Sequence, residues 1–128
     1  MAATITPSNP STIRAPTGYA HAIDIRNPER HLIISGQVGM ALDGTIPAGE
    51  AQIAQAFANL AAVLAANGMA VANIVKTTVF LTDRALLAPY RAARVAAFAE
   101  HAPASTLLFV AGLADPKFVF EIEAEAIA

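Results

Sequence analysis

Apolar residues recur along this chain with two different periods, and the change between them marks out its elements. From Ala48 to Asn67, Ile53, Phe57, Leu60 and Leu64 follow one another at spacings of four, three and four, which lines up one helical face. Glu50 at the start and Gly68 just past Asn67 suit a helix N-terminus and a left-handed stop. A second helix is predicted from about Pro89 to Glu100, with proline in the first turn, where a missing N–H does no harm. Between and around these, the period shortens to two. Tyr19–Ile25 reads as a strand ended by the Asn27-Pro28 turn, and His31–Gly36 as a short β-branched run. Asn73–Leu81 is apolar on both alternating faces, as a central strand covered on both sides would be. Thr106–Leu113 follows as another strand. In the last segment Phe118, Phe120, Ile122, Ala124 and Ala126 share one face, and Val119, Glu121, Glu123, Glu125 and Ile127 the other. Ala41–Pro47 holds an Asp43-Gly44 turn and is the weakest strand candidate, while residues 1–16 have loop composition.

The predicted order is β-β-(β)-α-β-α-β-β, a single α/β domain over residues 1–128. Two helices cannot cover both faces of such a sheet, so they are expected on one face, leaving the other for partner subunits. Composition sharpens this. The chain is 55% hydrophobic and 14% charged, against roughly 25% charged for an average domain. A monomer of this size exposes on the order of 6,400 Å², which so few charges cover thinly. An obligate oligomer is expected.

Charge and cysteine content then exclude several classes of function. The formal net charge is −2, with Lys and Arg scattered, so the basic stripe of a nucleic-acid binder is missing. There is no cysteine, hence no disulfide and no thiolate chemistry. Neither a signal-peptide pattern nor an apolar run of membrane length is present, so a cytoplasmic protein without a membrane partner is expected.

No phosphate loop, nucleophile elbow or dinucleotide fingerprint occurs. His21, His31 and His101 lack metal-ligand spacing, so no metal site is expected. Glu121, Glu123 and Glu125 repel one another on a strand face; they form either a solvated edge or, at a subunit boundary, a proton-handling site. Arg91 and Arg94 stand three apart on one helical face, either solvated or forming an anion site. In Pro103-Ala104-Ser105-Thr106, two hydroxyl residues sit where a turn hands over to a strand.

Taken together, "GYAHA" (18–22), "LIISGQV" (32–38), "NIVKTTVFLTD" (73–83), "PASTLLFVAGL" (103–113) and "FEIEAEAIA" (120–128) stand in the order and spacing of the Rid/YjgF family. These are the reactive intermediate deaminases, also called endoribonuclease L-PSP, and the chain resembles them from about Thr17 to its end. The resemblance implies a chorismate-mutase-like fold of order β-β-β-α-β-α-β-β assembled as a homotrimer. It further implies small-molecule pockets between neighbouring subunits, hydrolysis of enamines or imines to ketones and ammonia, and no cofactor. By position it makes Tyr19 and Glu121 the catalytic pair, with Glu123 replacing Glu121 if the register slips by two. Ser35, Arg91, Ser105 and Thr106 become substrate-binding residues, Arg91 falling where the family has a pocket asparagine. Deaminating members carry an arginine after Pro-Ala that clamps the substrate carboxylate, and Ser105 stands in its place. Weak or no activity on 2-aminoacrylate is therefore expected. A non-catalytic binding trimer is the alternative, and an endoribonuclease or translation inhibitor a lesser one.

Overall fold

The structure, a computed structural model, describes residues 2–128. A four-stranded mixed sheet forms its centre, in the order β3-β6-β4-β5. These strands are β3 (His31–Val38), β4 (Ile74–Leu81), β5 (Ala104–Phe109) and β6 (Phe120–Ile127). β6 runs antiparallel to both β3 and β4, while β4 and β5 are parallel. The two crossovers are helices, α1 (Ala51–Ala66) between β3 and β4, and α2 (Leu87–Phe98) between β4 and β5. A separate two-stranded hairpin, β1 (Thr4–Ser8) with β2 (Ala22–Arg26), touches the sheet through a parallel bridge from Ala20 to Ala104.

The helices form where the periodicity places them. Ile53, Phe57, Leu60 and Leu64 are all buried. α1 ends at Gly68, whose φ is +68°. There the Met69 N–H donates to the Leu64 carbonyl and the Gly68 N–H to the Ala65 carbonyl, the paired bonds that close a helix on a left-handed residue. Both helices lie on one face of the sheet. Phe57 of α1 and Tyr90 of α2 each meet Phe120 of β6, with ring centroids 5.8 and 5.7 Å apart. The alternation of the last strand holds from Phe120 to Ala126, with Phe120, Ile122, Ala124 and Ala126 buried beneath the helices, and ends at Ile127, which is buried as well. Glu121, Glu123 and Glu125 project from the helix-free face.

Three expectations need correction. Residues 1–16 are not all loop, because Thr4–Ser8 pairs with β2; Pro7 is tolerated there because the strand is an edge. Ala41–Pro47 forms no strand; its Asp43-Gly44 turn closes through Ala41–Thr45 and Gly44–Ala41 backbone bonds instead. The extra strand in the predicted order is thus β1. Finally, β6 lies inside the sheet, so its glutamates stand on a face of a central strand and not on an edge.

On the helix-free face Ile33 is 68% and Leu108 43% exposed. Beside them Phe80, Lys76 and Thr78 of β4 are only half-buried, so the two-sided cover expected for this strand is complete only on the helix side. The protomer's accessible surface is 7325 Å², above the roughly 6,400 Å² typical of a compact monomer of this size. Among the described residues no helix is long and apolar enough to cross a membrane.

Candidate functional site

β5 is the outer strand of the sheet, and α2 crosses over it to reach the chain segment preceding β2. Where the three meet, a cleft of about 350 Å³ opens between Tyr19, Tyr90, Arg91, Arg94, Ser105 and Thr106. Strand alternation sends Ser105 and Thr106 to opposite faces, and at the edge both reach the cleft. Each hydroxyl is tied. Thr77 Oγ1 donates to Ser105 Oγ at 2.9 Å, and Lys76 Nζ donates to Thr106 Oγ1 at 2.8 Å.

The electrostatics of this cleft are one-sided. Two guanidiniums line it and no carboxylate does. Among the described residues the ion pairs are Arg26–Asp24 and His31–Glu125, so Arg91 has no acidic partner. Arg94 is partly committed, since its Nη1 donates to the Gly18 carbonyl at 2.8 Å. Burial pushes the Tyr90 phenol above its ordinary value, and the charges of Arg94 and Arg91 pull it partly back.

Tyr19 itself is 37% exposed, its ring edge-on to His21 at 5.6 Å. The other histidines are tied structurally. His31 Nε2 pairs with Glu125 at 2.9 Å, and His101 Nε2 lies 2.8 Å from the Ile74 carbonyl. Among the described residues no three His, Asp or Glu side chains come together as a metal site would need.

Glu121 and Ser35 lie elsewhere in the protomer. Ser35 lines a second concavity of about 350 Å³ on the helix-free face, with Lys76, Thr78 and Glu123. Glu121 borders neither cavity. It pairs with Val38 on one side and Phe80 on the other, and its carboxylate rests directly on Gly36, where any Cβ would collide with it. The register runs from Glu121 through Phe80 to Leu108, two residues beyond Thr106. At about 4.8 Å per strand, Glu121 is therefore roughly 10 Å across the sheet from β5 and displaced along it. Of the six residues that the resemblance makes catalytic or substrate-binding, Tyr19, Arg91, Ser105 and Thr106 meet in one cleft, and Ser35 and Glu121 stand apart. Tyr90 and Thr17 also line the cleft. Their adjacency to Arg91 and close to Tyr19 in the chain is the only signal the sequence holds for them.

Comparison with known proteins agrees with this architecture. The profile of the endoribonuclease L-PSP family matches residues 10–128. The chain is 38% identical to the 2-iminobutanoate/2-iminopropanoate deaminase of Escherichia coli K12, over 100% of this chain and 98% of that protein. Among solved structures, the Rid-family protein YyfB of Yersinia pestis, of unknown function, superposes with a TM-score of 0.86 at 31% identity, over all of both chains. The E. coli YjgF gene product gives 0.70 at 38% identity, over 85% of this chain and 87% of that one. Full-length similarity and the same mixed sheet with two helices place this chain in the Rid/YjgF (endoribonuclease L-PSP) family.

Proposed function

We propose that the protein is a deaminase that hydrolyses a small enamine or imine, in clefts completed between the subunits of a homotrimer of chorismate-mutase-like topology. One observation carries this reading. Tyr19, Arg91, Ser105 and Thr106 share a cleft bearing two cations and no acid, while Glu121 waits on the face that the helices leave open. A neighbouring subunit docked on that face would bring its own strand to complete the cleft. The relatives named as 2-iminobutanoate/2-iminopropanoate deaminases support the reaction class.

In this scheme Glu121 takes a proton from water as the oxygen adds to the imine carbon and passes it to the nitrogen, giving a carbinolamine; it then carries the hydroxyl proton to the same nitrogen, so that the C–N bond breaks, ammonia leaves and the C=O bond of the ketone forms. Tyr19 and Ser35 shape the pocket. With Ser105 unable to offer a guanidinium fork, Arg91 holds the substrate's anionic end from the helix side, and 2-aminoacrylate is a poor substrate. A net charge of −2 without a basic stripe weighs against RNA as substrate.

The test is ammonia release from imines generated in place, beside an RNA-cleavage assay. Turnover of imino acids longer than 2-aminoacrylate is expected, with none of RNA. Arg91→Ala should raise KM by roughly tenfold or more, the worth of a charge-assisted hydrogen bond, and Glu121→Ala should abolish kcat. Imino acids that bind in an Arg91-dependent way without being hydrolysed would replace the enzyme by a small-molecule-binding trimer.

A further inference from the structure

Tyr19 is held between two backbone anchors contributed by different parts of the chain. On its C-terminal side the Ala20 N–H donates to the Pro103 carbonyl at 3.1 Å, and Ala20 is buried against the start of β5. On its N-terminal side the anchor is Arg94, which reaches 76 residues across the sequence to donate Nη1 to the Gly18 carbonyl at 2.8 Å. Gly18 has a φ of +77°, a conformation that residues with a Cβ rarely adopt. The guanidinium occupies the space beside its Cα, so that a Cβ on Gly18 would collide with it. Gly18 and Arg94 are thus fitted to each other, and Tyr19, between the two anchors, lines the cleft.

We propose that Arg94 is a positioning residue that fixes Tyr19 in the cleft, while Arg91, three residues earlier and without an acidic partner, is the cation available to a ligand. The inference rests on the reading that Tyr19 lines the substrate cleft. Two arginines on one helical face then do different work. A charge-assisted bond from a partly buried guanidinium is among the stronger local restraints a loop can have. Its loss frees the Tyr19 backbone without altering the charge that Arg91 presents.

Amide hydrogen exchange at Ala20 tests this independently of turnover. Arg94→Ala should speed Ala20 exchange by about tenfold or more, as expected of local opening, with β4 amides unchanged and Arg94→Lys restoring part of the protection. Gly18→Ala should produce the same change, and adding Arg94→Ala to it should bring little more. In assays on an imino acid, Arg94→Ala should lower kcat with KM nearly unchanged, the reverse of Arg91→Ala. If Arg94→Ala perturbs the whole fold, Arg94→Met, which keeps the length of the stem and removes the donors, carries the same comparison. Unchanged Ala20 exchange in Arg94→Ala, or fully additive effects with Gly18→Ala, would overturn the assignment. A wild-type chain that turns over no imine would instead refute the deaminase reading, and the exchange result would still decide the role of Arg94.

Discussion

At two glycines of this chain a side chain assigned to the proposed site occupies the place of the Cβ, and Gly36 is the more telling of them. Its φ is not in the left-handed region, so backbone freedom does not explain it. What excludes a side chain is the Glu121 carboxylate lying against its Cα, beside the irregularity in β3–β6 pairing between Ile34 and Gln37. Gly36→Ala is therefore expected to displace Glu121 and to cost about 1–3 kcal/mol, as overpacking does. At this chain length that lowers the melting temperature by roughly 3–6 °C per kcal/mol. The control is the double variant. In the Glu121→Ala background the same substitution should cost little, because the colliding atoms are gone. A full cost in both backgrounds, measured by thermal melting, would show that something other than Glu121 sets the limit at this position.

At the scale of elements, α2 shows how one helix serves core and cleft at once. Neighbouring positions on a helix point about 100° apart, so Tyr90 enters the aromatic cluster with Phe57 and Phe120 while Arg91 stays at the cleft. Burial holds the Tyr90 phenol protonated beyond its ordinary value of 10.0. The native state thus keeps a proton that the unfolded chain gives up at about pH 10. The stability from this site is full below that pH and is lost as pH rises from there towards the folded value. Denaturant titrations between pH 8 and 11 should show wild type losing stability more steeply than Tyr90→Phe; parallel curves would remove the burial argument. The helix itself was legible in the sequence, as were α1 through its four-three-four spacing and β6 through its alternation. β1 was not, because Pro7 and the Asn9-Pro10 pair signal a turn more strongly than Thr4-Ile5-Thr6 signals a strand. Nor was the interior place of β6, since strand order comes from pairings between distant segments. The same reason hides the Arg94–Gly18 contact. Glu121 stood out in a row of carboxylates and Ser105 at a strand entry, but their roles, like the choice of Tyr19, came through family resemblance, because neither period nor spacing distinguishes a site residue from an ordinary surface one.

For the whole molecule, the proposed reaction requires Glu121 and the cleft to cooperate although about two strand spacings separate them in one protomer. The helix-free face supplies the reason to look beyond the protomer: it exposes Ile33 and Leu108 on either side of the three glutamates of β6, large apolar side chains that an isolated subunit would leave in water. A homotrimer should scatter light as close to three times 13.2 kDa. In it, each site would pair the cleft of one subunit with Glu121 of the next, and this arrangement has a consequence that no intra-protomer site shares. One variant, Glu121→Ala, keeps an intact cleft; another, Tyr19→Ala with Arg91→Ala, keeps an intact Glu121. Each alone should be inactive on an imino-acid substrate. Unfolded together in equal amounts and refolded, they assort at random. The chance that a given site joins an intact cleft to an intact glutamate is then one half times one half, about a quarter of wild-type activity, if the assembly is cyclic with one neighbour per cleft. If Glu121 served the cleft of its own subunit, no mixed assembly would contain a complete site, and the refolded mixture would stay as inactive as its parts.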